Sequence, residues 1–310
     1  MKKGFILSAL TTLSMSFLAG AMAPTPVAHA AGQDIKVWVQ FSDETAEGKA
    51  WAKVVENFNK KYDGKYQVTT EYIPRSGSGG GYEDKVNAGI TTNTLPDVIT
   101  LDGPNTAAYA KAKVIAPLDE YLADANMDDV LDSIKQQGTY DGKFYAFGFS
   151  ESNIGIYYNK KMFKEAGIED SELPTLQKPW TWDEFKAISK KLTDHFKQPA
   201  IDFRLNSMDE MLPYAYMPLL WSNGGTVVNE DGTKAQGYFN SKESVEAVQF
   251  IQDLVKEGYT TISPVEKGFE TGVYPMLLSG SWTINDLNEN YKDIEYGILP
   301  YPVSNTTKKL

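Results

Sequence analysis

The stretch from Gln33 to Asp102 constrains the fold most, because its hydrophobic period alternates between two residues and three to four. "DIKVWVQF" places Ile35, Val37, Val39 and Phe41 at alternate positions, the pattern of a strand. In the following "SDETAEGKAWAKVVENFNKKY", Trp51, Val54, Val55 and Phe58 return at helical spacing. "YQVTTEYI" reads as a second strand, "YEDKVNAGITTN" as a second helix and "PDVITL" as a third strand. This βαβαβ order predicts an α/β fold with a parallel sheet and right-handed crossovers. Open sheets of that kind bind ligands beyond the carboxyl ends of their strands. Those ends carry Ser42 and Asp43, the loop "RSGSGGG", and Asp102 with Gly103. The glycine-rich loop lacks the G-K-[ST] of a phosphate cradle and reads as a flexible lead into a helix, with Arg75 and Tyr82 as cleft candidates.

Further along, "YDGKFYAFGF" predicts a hairpin turning at Asp141-Gly142. The polar residues Ser150 to Asn153 interrupt two hydrophobic stretches before a strand "IGIYYN" and a short helix closed by Gly167. Such a break is where a chain can cross between lobes. Thr181 and Glu184 stand three apart, as in a capping box. "MLPYAYMPLLWSNGG" is apolar and aromatic up to Trp221, and "SKESVEAVQFIQDLVKEGY" predicts an amphipathic helix with Val245, Val248, Phe250, Ile251 and Leu254 toward the core. In "GSWTIND", Trp282 follows glycine and serine where the chain turns polar. It is either a half-buried packing residue or an exposed ring at the mouth of a binding cleft.

The first thirty residues combine Lys2 and Lys3, an apolar run from Phe5 to Ala23, and Ala28 and Ala30 around His29. This is the pattern of a secretory signal peptide cut after Ala30, with an uncleaved membrane anchor as the alternative. The roughly 280 remaining residues exceed one small core and imply two lobes. No cysteine is present, so neither disulfides nor a lipidated cysteine enter the expectation. Removing two lysines with the signal leaves 28 of 30 basic residues against 41 acidic ones, a net charge near −13. Nucleic acid is a poor partner for such a surface. His195 alone remains after the signal, too little for a metal site or a histidine-dependent triad, and no cofactor is expected. A carboxylate pair of the glycosidase kind is the surviving catalytic alternative.

Four signatures in succession carry a resemblance: "LPDVITLD" at 95–102, "IYYNKKMFKEAG" at 156–167, "WTWDEF" followed by "WSNGG", and "FETGVYPMLLSGSW" at 269–282. In this order the chain resembles the exported solute-binding proteins of ABC importers, in the large sugar-binding group that includes the maltose-binding protein. The resemblance implies a two-lobed α/β fold of the type II periplasmic-binding-protein kind, each lobe a mainly parallel sheet flanked by helices. It implies a signal peptide over 1–30, one lobe over 31–148, a second over 149–300 and a return crossing at 301–310, where members of the family continue into the first lobe and further helices. Its glycine-x-tryptophan motif falls on Gly280 and Trp282, and its polar residue before "YYN" falls on Ser152, often an aspartate in the family, so that Glu151 or Asn153 could serve instead.

A sugar presents a ring of hydroxyls around a faintly apolar face. Asp43, Asp102 and Glu151 are the expected acceptors, Asn153 a bidentate amide, and Trp221 and Trp282 the platforms. The function so implied is capture of a sugar or oligosaccharide by closure of two lobes, and delivery to a membrane permease by an exported monomer. An exported glycosidase and a binder of another solute, such as a peptide or polyamine, are the alternatives.

Overall fold

The computed structural model describes residues 32–75, 80–123, 125–207 and 211–308. The expected signal peptide and positions 76–79 of the glycine-rich loop lie outside the described residues.

The first sheet forms in the order anticipated: β1 (Gln33–Val39), α1 (Ala46–Lys61), β2 (Tyr66–Tyr72), α2 (Gly80–Thr92) and β3 (Val98–Ile99). The strands lie in the order β2-β1-β3, all parallel. Val37, Val39 and Phe41 are the buried alternates, with Ile35, Trp51, Val68 and Tyr72 packed against them. Thr45 starts α1 by accepting the Gly48 N–H at 3.1 Å, satisfying one of the free donors of a helix start. Val54, expected on the apolar stripe, is exposed. It stands about 60° round the helix from Trp51, and Val55 and Phe58 lie closer to the buried line. Beyond α3 (Thr106–Lys111) and α4 (Asp132–Gly138), β4 (Thr139–Tyr140) pairs antiparallel with β5 (Lys143–Phe144). Asp141 and Gly142 both have positive φ, 50° and 73°, as a type I′ hairpin requires.

The second half contains β6 (Ile154–Asn159), α5 (Lys160–Glu165), α6 (Trp182–Phe196), β7 (Ile201–Asp202), α7 (Met211–Ser222), α8 (Lys242–Lys256), β8 (Met276–Gly280), α9 (Thr283–Asn290) and β9 (Tyr296–Leu299). Its sheet runs β7-β8-β6-β9 and is mixed. β7 and β8 are parallel, whereas β6 is antiparallel to both β8 and β9. The expected mainly parallel character therefore holds for the first sheet only. In the second, the crossover β8–α9–β9 straddles β6, which enters from the opposite edge.

The larger core lies on this sheet, between it and α6, α7 and α8. The rings of Trp182 and Phe250 stack at 4.7 Å, and Leu192, Leu219 and Leu254 are fully buried. Each such leucine contributes about 1.5–3 kcal/mol relative to an exposed one. The capping box is present, with Thr181 Oγ1 accepting the Glu184 N–H at 3.3 Å and Glu184 Oε2 accepting the Thr181 N–H at 2.8 Å. On α8, Phe250 and Leu254 face the core and Ile251 packs against it, but Val245 and Val248 are exposed. Ser244 and Ala247 occupy the buried line instead, with Ser244 Oγ within hydrogen-bond distance of the Thr226 and Tyr238 carbonyls, at 3.2 and 2.9 Å.

Candidate functional site

Parallel strands deliver their carboxyl ends to one edge, and in the first sheet three side chains from three strand ends are bonded together. Gln40 follows β1, Arg75 follows β2 and Asp102 follows β3. Gln40 Nε2 donates to Asp102 Oδ1 at 2.9 Å, and Arg75 Nη2 donates to Asp102 Oδ2 at 2.7 Å and to Glu83 Oε1 at 2.5 Å. Burial works against the Arg75 charge, but Asp102 and then Glu83 outweigh it and raise its pKa. Glu47, in the first turn of α1, has its carboxyl pKa raised first by desolvation and then by the Asp102 charge. Acidity thus accumulates on this edge around one guanidinium held by two carboxylates.

The remaining first-sheet candidates divide. Ser42 is spent on the turn into α1: its Oγ accepts the Glu44 N–H at 3.2 Å and its carbonyl accepts the Thr45 hydroxyl at 2.8 Å. Asp43 is exposed beside it, and its charge adds to the desolvation that raises the Tyr72 pKa. Tyr82 does not open onto solvent. It is 2% exposed, and its hydroxyl donates to the Thr100 carbonyl at 2.7 Å, so that burial pushes its pKa up to about 12. Its apolar neighbours on α2 draw it under the sheet, where it ties the helix to β3.

On the second sheet the antiparallel pairing of Ile154 with Gly280 brings the start of β6 and the end of β8 to one edge. Glu151, Ser152 and Asn153 therefore lie at the same edge as Trp282, and the Ser281 N–H donates to the Asn153 carbonyl at 3.2 Å. All three side chains are exposed. Trp282 begins α9 and is 50% exposed. Its ring lies across Gly280, where an added Cβ would overlap Cζ3, Cη2 and Cε3 of the indole. Glycine is required at that position by close approach, and the backbone is fixed from behind. Tyr157, buried, donates to the Gly280 carbonyl at 2.7 Å, and Ser279 and Thr283 share a buried hydrogen bond at 2.6 Å.

Two groups that the sequence reading passed over complete the arrangement. Tyr214 on α7 sets its ring 6.2 Å from that of Trp282 at 38°, and its hydroxyl lies 3.1 Å from Ser152 Oγ. Desolvation raises its pKa, and the charges of Glu151 and Asp102 raise it further. One hydroxyl on the second sheet's side thus senses carboxylates from both edges. Gln137 on α4 is the other: its Nε2 approaches Glu151 Oε1 at 3.4 Å, and its side chain fills the space where a Cβ at Gly103 would stand. The rings of Trp51 and Phe149 also meet, at 6.2 Å. Trp221, 57% exposed, is seven residues beyond Tyr214, two helical turns or about 10 Å along α7. Tyr214 itself is legible only as one aromatic among several in an apolar run; the separation of 68 positions from Trp282 closes only in the fold. Among the described residues no group of three or more His, Cys, Asp or Glu could hold a metal ion, and no helix is long and apolar enough to cross a membrane.

Two α/β units with facing edges that carry carboxylates, hydroxyls and open aromatic rings define a two-lobed binding protein of the type II periplasmic class. Residues 42–308 match the family model of bacterial extracellular solute-binding proteins, and the chain belongs to that family. Among solved structures it is similar to an ABC substrate-binding protein of Listeria monocytogenes in complex with cycloalternan, at 26% identity and a TM-score of 0.74, covering 89% of this chain and 68% of that one. It is also similar to a cyclic α-maltosyl-1,6-maltose binding protein of Arthrobacter globiformis, at 28% identity and a TM-score of 0.70, covering 88% and 66%. A sequence relative is the sn-glycerol-3-phosphate-binding periplasmic protein of Pectobacterium atrosepticum, 27% identical over 301 residues, which are 91% of this chain and 62% of that protein. A binding protein of Brucella abortus is 23% identical over 229 residues, 72% of this chain, and the chain spans about half, 53%, of its length.

Proposed function

We propose that the chain captures a neutral sugar or oligosaccharide between its two sheet edges and hands it to the permease of an ABC importer. The observation that carries this reading is the open Trp282 ring, flanked by Tyr214 and bordered by Ser152, Glu151 and Asp102. An aromatic face suits the apolar side of a pyranose, and carboxylates and hydroxyls suit its equatorial hydroxyls. A hydrogen bond to a charged acceptor adds about 1.5–3 kcal/mol, so a few of them with one stacked ring give tight, reversible capture.

Similar proteins include both sugar binders and a glycerophosphate binder. The charge at the edge favours the sugar. Arg75 is already engaged by Asp102 and Glu83, and Glu47, Asp43 and Glu151 add negative charge at the site. A phosphate monoester would enter against that field. Residues 31–148 and 149–300 form the two lobes in this reading, 301–310 the return crossing, and 1–30 a cleaved signal that exports a monomer. No bond is made or broken. Calorimetric titration against mono- and oligosaccharides with sn-glycerol 3-phosphate in the same panel tests the reading. Sugar binding at micromolar Kd or tighter is expected; binding of the phosphate alone, or turnover of chromogenic glycosides, would overturn it.

A further inference from the structure

The aromatic face of α7 is interrupted at Pro218, which stands between Tyr214 and Trp221. Proline brings no N–H to the Tyr214 carbonyl and its ring presses on that carbonyl, so the turn between the two aromatics has lost a ladder bond. Helix continuity alone therefore fixes Trp221 weakly relative to Tyr214. The half that carries Trp221 is held from elsewhere. In the segment that follows β9, the Ser304 N–H donates to Ser222 Oγ at 2.8 Å, Ser304 Oγ donates to Asn223 Oδ1 at 2.5 Å, and the Thr307 hydroxyl donates to the Ser222 carbonyl. Tyr301, buried against α7, donates to the Ala215 carbonyl at the weakened turn. Asn223 passes the anchorage on, donating from Nδ2 to the Glu243 carbonyl at 2.8 Å and to Glu246 Oε2 at 3.0 Å at the start of α8.

We propose that Ser304 is a positioning residue for the Trp221 platform, with Ser222 and Asn223 as its partners, so that segment 300–308 sets the spacing between the two aromatic stations of the sugar-binding face. This rests on the sugar-binding reading above. It adds that the length of ligand accommodated along α7 depends on a segment that touches no ligand. Because residues 301–308 fall within the return crossing of the proposed lobe division, movement of the lobes reaches the Trp221 end of α7 through Ser304 and the turn at Ala215 through Tyr301.

The test needs no ligand. In protein labelled with 5-fluorotryptophan, the six indoles give separate fluorine resonances, assigned by single Trp→Phe variants. Ser304→Ala and Ser222→Ala are expected to displace or broaden the Trp221 resonance and to leave Trp38, Trp51 and Trp282 in place, and Ser304→Thr is expected to restore Trp221. An unmoved Trp221 in both alanine variants would overturn the proposal, as would equal displacement of Trp221 and Trp282, which would mean that α7 moves as one body. For any sugar that binds the parent protein, Ser304→Ala is expected to weaken affinity several-fold, and not further once Trp221 is alanine; an equal loss in the Trp221→Ala background would count against it. A parent protein that binds no sugar would defeat the functional reading and leave the fluorine result to decide this one.

Discussion

At Gly280 a single hydrogen atom decides where an indole can lie. Any Cβ there meets the Trp282 ring, so Gly280→Ala is expected to lift the ring off the strand end and to weaken sugar binding tenfold or more, read by titration, with a small fall in Tm. Trp282→Ala should cost affinity to a similar degree. Its cost in stability should stay well below the roughly 3–5 kcal/mol of a buried tryptophan, because half of the side chain is already in water. A denaturation midpoint that falls as far as that of Trp180→Ala, a buried indole, would place Trp282 in the core instead. Glu47 gives a test by pH. Its folded pKa is raised, so the native state binds the proton more tightly than the unfolded chain, and stability falls as pH rises from the ordinary value of 4.5 through the raised one. Above that window the ionised carboxylate is a burden. Glu47→Gln is expected to raise Tm at pH 7, and the gain should vanish below pH 4.5 in a thermal melt series.

Elements were legible where their signal is local. The capping box at Thr181 and Glu184 and the Asp141-Gly142 hairpin depend on residues within a few positions of one another, and the parallel first sheet follows from the alternation of strand and helix patterns along the chain. Thr181→Ala should destabilise the fold by about 1 kcal/mol, measured by denaturant titration, since it leaves the Glu184 N–H without its acceptor. The phase of α8 was not legible. Hydrophobicity points Val245 and Val248 inward, but Ser244, Ala247, Phe250 and Leu254 form the buried line, and which line faces the core is decided by the neighbours rather than by the helix. The direction of β6 was hidden for the same reason: an apolar run of six residues reads alike in either direction, and its antiparallel setting follows from which edge the chain enters. Tyr82 repeats the lesson inside the site. Its place at the start of a helix after the glycine-rich loop suggested a cleft residue, and packing under the sheet closed it off.

At the scale of the whole molecule, the ties between the two sheet edges among the described residues include Gln137 with Glu151, Trp51 with Phe149, and the charge of Asp102 reaching the Tyr214 hydroxyl. A 3.4 Å hydrogen bond between exposed side chains and one tilted ring pair are weak ties, worth together about 1 kcal/mol. Ties of that size allow the lobes to separate thermally, and a ligand that touches both edges shifts the balance by its preference for the closed form. The chain contains no cysteine, so two introduced thiols can be labelled without background. Val54 on α1 and Val248 on α8 are exposed and lie outside the described site, which makes Val54→Cys with Val248→Cys a suitable pair. With donor and acceptor dyes at these positions, saturating sugar is expected to change the transfer efficiency and to narrow its distribution, reaching half of the change at the Kd found by calorimetry. Unchanged transfer at full saturation would mean that the sugar binds to one edge alone and that the lobes do not close on it.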